Sequence, residues 1–123
     1  MAVPPLVSVV DDDESVRESL RGLIRSIGLR VETFASAESF SRSAELGKTD
    51  CLILDVRMPG MSGIELQREL AAGAHDIPII FITAHGSDEG VRARALRDGA
   101  VAYLSKPFSE DALLDAVNAA LNA

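Results

Sequence analysis

Leu6-Val-Ser-Val-Val-Asp-Asp-Asp-Glu-Ser-Val-Arg-Glu-Ser-Leu-Arg-Gly-Leu-Ile-Arg-Ser-Ile-Gly28 carries two periodicities in succession. Leu6 to Val10 is almost unbroken apolar and rich in β-branched residues, the composition of a parallel strand covered on both faces. After Asp11-Asp-Asp-Glu14 the period changes. Val16, Leu20, Leu23, Ile24 and Ile27 fall at i, i+4, i+7, i+8 and i+11, one apolar stripe along a helix. Gly28 stands where a helix C-terminus favours a left-handed residue. This is one strand–helix unit, and four more follow. Further strands are predicted at Arg30-Val-Glu-Thr-Phe34, Cys51-Leu-Ile-Leu54, Pro78-Ile-Ile-Phe-Ile82 and Val101-Ala-Tyr-Leu104. The second strand alternates apolar and polar residues, which fits a sheet edge. Helices are predicted over 36–46 with Ser36 as N-cap, over 63–72 ended by Gly73, over 87–98 ended by Gly99, and over 109–121 with Ser109 as cap. The helix over 87–98 has a thin apolar face of Val91, Ala95 and Leu96. Five βα units in strict alternation imply an α/β fold, a doubly wound parallel sheet with right-handed crossovers and helices on both faces.

The 123 residues fit one domain, 1–123, with an ordered core over about 6–121. A hydrophobic share of 47% with 25% charged residues excludes disorder along the whole chain. No apolar run approaches a membrane span, and the N-terminus lacks the charged and apolar regions of a secretory signal. The one cysteine, Cys51, has no partner for an internal bridge, which suits a reducing cytoplasm. A net charge of −7 argues against direct contact with nucleic acid. The expectation is a cytoplasmic domain that touches neither membrane nor nucleic acid.

In open α/β sheets, ligands bind beyond the carboxyl ends of the strands, where strand order reverses. Asp11, Asp12, Asp13 and Glu14 follow the first strand, Asp55 the third, Thr83 the fourth and Lys106 the fifth. An acidic run opening a helix accounts for Asp13 and Glu14, since carboxylates favour a helix N-terminus. It does not account for Asp55, on another strand. Carboxylates about 4 Å apart repel by roughly 4 kcal/mol at an effective dielectric near 20. Converging Asp residues therefore protonate or recruit a cation. An all-oxygen donor set without His or Cys thiolate favours a hard ion such as Mg²⁺ (or Mn²⁺). Lys106 and Thr83 offer an ammonium and a hydroxyl to phosphoryl oxygens, and a carboxylate can act as nucleophile. No P-loop is present to hold a nucleotide.

These residues match a family pattern through most of the chain. Val10-Asp11-Asp12, Asp55-Val-Arg-Met-Pro-Gly-Met-Ser-Gly63, Ile82-Thr83-Ala84 and Lys106-Pro107-Phe108 resemble the motifs of response regulator receiver domains in two-component systems. Phe34-Ala-Ser-Ala-Glu-Ser-Phe40 and Thr83-Ala-His-Gly86 are most similar to its NarL/FixJ-type branch. The resemblance implies the flavodoxin-like strand order 2-1-3-4-5 of the chemotaxis protein CheY. It implies that Asp55 is the phosphoacceptor, taking a phosphoryl group from a sensor histidine kinase or phosphotransfer protein. It further implies direct ligation of Mg²⁺ by Asp12, Asp55 and the backbone carbonyl of Arg57, with Asp11 acting mainly through water. Lys106 would contact the phosphoryl group and Asp55, and Thr83 would bond the attached phosphoryl. Tyr103 takes the aromatic switch position, Ala84 the small residue beside the phosphoryl, and the Lys106–Pro107 bond is expected to be cis. The fourth helix and fifth strand would form the responsive surface, with phosphorylation-dependent homodimerisation through it. Any output domain would lie outside this chain.

Two other classes stay open on the residues alone. An aspartyl-phosphate hydrolase of the haloacid-dehalogenase type also uses Asp, Mg²⁺ and Lys, but needs a second Asp where Arg57 stands. A non-phosphorylatable interaction module would not require Asp11, Asp12, Asp55 and Lys106 together. Elsewhere, His85 and His75 read as loop residues, Cys51 as a small buried apolar residue, and Asp13 as a helix-start residue close enough to add to the site's field. Met58 and Met61 either pack or meet a partner.

Overall fold

The computed structural model describes residues 3–84 and 89–122. Along them run β1 (Leu6–Val10), α1 (Glu14–Ser26), β2 (Arg30–Phe34), α2 (Ala37–Ser41), a 3₁₀ segment (Ala44–Lys48), β3 (Cys51–Asp55), α3 (Gly63–Ala72), β4 (Ile79–Thr83), α4 (Glu89–Arg97), β5 (Ala102–Ser105) and α5 (Glu110–Leu121). The strands form one parallel sheet in the order β2-β1-β3-β4-β5, the flavodoxin-like order expected. Strand order reverses between β1 and β3, so the carboxyl ends of these two strands border the crevice where such folds bind ligands.

Alternation along the strands divides the core between the two faces. Val7, Val9, Ile53, Ile80 and Ile82 pack with Leu20 and Ile24 of α1 and Leu113 and Val117 of α5. Val10, Leu52, Leu54 and Phe81 pack with Phe40, with Leu66 and Leu70 of α3, and with Ala95 of α4. Strands buried on both faces carry apolar side chains at every register position, which is why they read as unbroken runs. Ser8 is the internal exception, and its hydroxyl is hydrogen-bonded to that of Thr49 at 2.7 Å.

Several expected boundaries move. The helix expected over 36–46 is broken into α2 and the 3₁₀ segment. Ser43 donates its hydroxyl to the Phe40 carbonyl at 2.8 Å, and its N–H reaches the same oxygen at 3.0 Å. Such local serine bonds compete with helix continuation. The strand ends also shift. Asp55 and Thr83 are the last residues of β3 and β4, because the ladder continues through Asp55 opposite Ile82 and Thr83 opposite Ser105. The first residues of the helix expected over 87–98, and His85, lie outside the described residues.

Three helices end alike. At α1, α3 and α4 a residue with positive φ turns the chain, and the next N–H reaches back to a carbonyl five residues earlier: Leu29 to Ile24, His75 to Leu70, Ala100 to Ala95. Glycine fills the turn at Gly28 and Gly99, but after α3 it is Ala74, at φ 59°. A Cβ in the left-handed region costs about 1–2 kcal/mol. Ala74 is exposed, so nothing is lost with its methyl group. Ala74→Gly is therefore expected to raise stability by about 0.5–1 kcal/mol after the added chain entropy is subtracted. Urea unfolding followed by circular dichroism measures this, and a loss of stability would contradict the cap geometry.

Candidate functional site

Asp11 is the most tightly held group at the carboxyl edge of the sheet. Its N–H donates to Phe34 of β2 at 3.1 Å, and its carbonyl accepts from the Arg17 guanidinium at 2.8 Å. Its carboxylate accepts from the Asp13 N–H at 2.8 Å and from Lys106 Nζ at 2.7 Å. Asp11 is fully buried, and a buried carboxylate requires compensation of this kind. Asp13 begins α1 as its N-cap, accepting from the Ser15 hydroxyl and N–H. Those bonds, the hydroxyl's first, hold the Asp13 carboxyl below the usual range.

Asp55 ends β3 beside it and is 5% exposed. Its backbone is packed against Gly63, where an added Cβ would collide with the Asp55 carbonyl oxygen. The turn between them is closed by the Gly63 N–H on the Val56 carbonyl at 3.0 Å. Glu38 of α2 accepts from the Met61 N–H at 3.1 Å and braces the same loop. The N–H of Arg57 faces Asp55 Oδ1 at 3.4 Å, while the Arg57 side chain is exposed.

One carboxylate oxygen each from Asp11, Asp12 and Asp55 lies within 4.8 Å of the others. Asp12 is exposed, so the cluster is open to water on one side. Lys106 Nζ stands 3.7 Å from Asp55 Oδ2 and 2.7 Å from Asp11 Oδ2. The expectation placed Lys106 on Asp55; in this structure its closer partner is Asp11, the more deeply buried of the two. Burial pushes the Asp55 carboxyl up to about 6, the charge of Asp11 adds to that, and Lys106 opposes it. Burial alone would lower the Lys106 ammonium. Its hydrogen bond to Asp11 and the charges of Asp55 and Asp11 outweigh burial and raise it above an ordinary lysine. The donor set is three carboxylates without a nitrogen or sulfur ligand, which fits a small hard cation with open water positions.

Thr83 is buried at the end of β4, and its carbonyl accepts from the Lys106 N–H at 2.7 Å. Ala84, next to it, is exposed. Lys106–Pro107 is cis, as expected. Tyr103 is turned into the core on the other face of the sheet from Lys106, its ring centroid 6.1 Å from that of Phe81. The structure thus gathers Asp11, Asp12, Asp55 and Lys106 and sets Thr83 at the adjacent strand end, with Tyr103 behind. Arg17 and Glu38, which hold the frame, were not expected. Both lie on ordinary amphipathic helices, and only the three-dimensional contact reveals them.

Residues 7–118 match the family described as "Response regulator receiver domain". The chain belongs to that family. It is 53% identical over 115 residues to Nodulation protein W of Bradyrhizobium diazoefficiens, covering 94% of this chain and 50% of that protein. Among solved structures it resembles the response regulator StyR, with 54% identity, a TM-score of 0.90, and coverage of 98% of this chain and 60% of that one. It also resembles FixJ-N, with 34% identity, a TM-score of 0.85, and coverage of 98% and 96%. The chain spans about half the length of the curated relatives it matches. Among the described residues of this receiver domain, no helix is long and apolar enough to cross a membrane.

The carboxylate cluster has a pH signature. The Asp55 carboxyl rises from 3.8 to about 6 on folding, so the folded chain favours the protonated form. Stability from that proton is fully present below about pH 3.8 and is lost as pH rises through 6. Asp55→Asn, which keeps the shape without the charge, is expected to stabilise the metal-free domain at pH 8. The gain is on the order of 1 kcal/mol once water beside Asp12 is allowed for. It should shrink through pH 6 and vanish near pH 4. A gain independent of pH in urea titrations would show that the charge cluster is not its source.

Proposed function

We propose that this receiver domain is a switch that accepts a phosphoryl group on Asp55. The observation that carries the reading is the convergence of the Asp55 carboxylate with Asp11, Asp12 and the Lys106 ammonium at the crevice where strand order reverses. A carboxylate oxygen of Asp55 forms a bond to phosphorus as the bond from phosphorus to a donor imidazole breaks. The imidazole departs with the bonding pair and takes up a proton. The donor is a phosphohistidine on a sensor kinase or phosphotransfer protein.

Asp12, Asp55 and the Arg57 carbonyl would hold Mg²⁺, with Asp11 behind them. When bound, the ion offsets carboxylate charge and the charge of the incoming phosphoryl group. Lys106 is positioned to follow the charge. It is shared between Asp11 and Asp55, and its ammonium can turn to a phosphoryl oxygen without moving its backbone, which Thr83 holds. The Thr83 hydroxyl is the group on β4 able to donate to the attached phosphoryl. Arg57 occupies the position where a hydrolase of the haloacid-dehalogenase type needs a carboxylic acid, so the site supports stoichiometric acceptance rather than turnover. Output passes through α4 and β5 to a second copy or to a domain outside this chain. Arg92, Arg94 and Arg97 are exposed on α4.

Incubation with acetyl phosphate and Mg²⁺, followed by intact-mass spectrometry, tests the reading. One phosphoryl adduct per chain is expected, absent without divalent cation and absent in Asp55→Asn. An adduct that persists in Asp55→Asn, or no adduct at all, would overturn it. Sustained hydrolysis of phosphomonoesters would instead establish the hydrolase.

A further inference from the structure

α4 is weakly seated. Ala95 is its single buried residue among those described, with Val91 and Leu96 half-covered. Facing it from α3 is Gln67, which is 6% exposed. Its carboxamide nitrogen donates to the Ala95 carbonyl at 3.2 Å. That carbonyl also accepts the Ala100 N–H at 3.0 Å, the bond that closes the C-terminal turn of α4 at Gly99. Gln67 therefore holds the helix at a carbonyl that also takes part in its C-terminal turn.

A purely structural contact would not need a carboxamide. Gln67 Oε1 is buried and has no hydrogen-bond partner, so the position carries an unsatisfied acceptor that leucine would avoid. Beside it, a cavity of about 430 Å³ between the C-terminal ends of α3 and α4 is lined by Gln67, Leu70, Ile77, Ile79, Asp98 and Gly99. The end of α4 is thus tied by a directional bond and flanked by space.

We propose that Gln67 is a positioning residue, a latch that holds α4 in the arrangement seen here and sets how readily α4 leaves it. Resting on Asp55 as the phosphoacceptor, the inference extends to regulation: α4 follows β4, whose last residue is Thr83, and phosphorylation proceeds from the released arrangement of α4, so loosening α4 raises the competent fraction. Leucine at this position keeps the volume, removes the donor and removes the orphaned acceptor.

Amide hydrogen exchange on the full 123-residue chain, without metal or phosphoryl donor, tests the latch. In Gln67→Leu, amides over 93–100 are expected to exchange roughly five- to tenfold faster, while those of α3 and β3 keep their rates. In Gln67→Glu, the ratio of α4 to α3 rates within one sample should fall as pH is lowered, because a neutral carboxyl can donate to the Ala95 carbonyl and a carboxylate cannot. Unchanged α4 rates in Gln67→Leu, equal loosening of α3 and the sheet, or a flat ratio in Gln67→Glu would each overturn the latch. The coupling is read from acetyl phosphate: Gln67→Leu should acquire its Asp55 adduct several-fold faster than the parent chain. Equal rates with a loosened α4 would overturn the coupling. No adduct on either protein would overturn the phosphoacceptor reading and the coupling with it, and the exchange rates would still decide the latch.

Discussion

Three carboxylates gathered at the end of a sheet need a proton or a positive charge among them, and here the charge is Lys106. Asp11 is sealed from water, Asp55 nearly so, and both look to one ammonium at 2.7 and 3.7 Å. The rest of the architecture serves this compromise. Parallel strands deliver every carboxyl end to one edge, and the β1–β3 reversal places the two buried Asp residues on neighbouring strands. The pleat then selects the side. Asp11, Asp55 and Lys106 continue the positions of Val9, Ile53 and Leu104, all of which pack towards α1 and α5. Burial first, and then the charge of Asp11 that Lys106 only partly offsets, keep the Asp55 carboxyl well above the ordinary range and leave the cluster receptive to a cation.

The opposite parity carries a different task. Tyr103 continues the positions that pack towards α3 and α4, as Phe81 and Leu54 do. Charge chemistry on one side of β4 and β5 is thereby separated, by the thickness of a strand, from packing on the other. The Lys106 N–H on the Thr83 carbonyl, at 2.7 Å, is a single backbone hydrogen bond between β5 and β4 at this edge.

Much of this was legible in the residues. Strands covered on both faces announce themselves as unbroken apolar runs, and Gly28 and Gly99 mark helix ends because the left-handed backbone there tolerates few alternatives. The polar residues after each strand pointed to the site because parallel topology leaves them nowhere else to converge. What escaped notice depends on distance in space. The break after Ser41 comes from serine bonds to a single carbonyl, invisible to hydrophobic spacing. Ala74 in a left-handed turn goes against its own preference and is imposed by the cap of α3. Arg17 and Glu38 look like any charged helix residue until the loops they hold are in place. Gln67 reads as a polar interruption of α3, and only the proximity of Ala95 gives it a role.

Cys51 has a practical consequence of a different kind. It opens β3 at the centre of the sheet with no exposed surface, and burial together with Asp50 pushes its thiol up to about 12. Thiol reagents act on the thiolate, so at neutral pH this sulfur is both shielded and protonated. Towards maleimides and methanethiosulfonates the folded chain behaves as if it had no cysteine. A cysteine introduced on the exposed face of α4, at Arg94 for instance, can therefore carry a single fluorophore or spin label with Cys51 left in place.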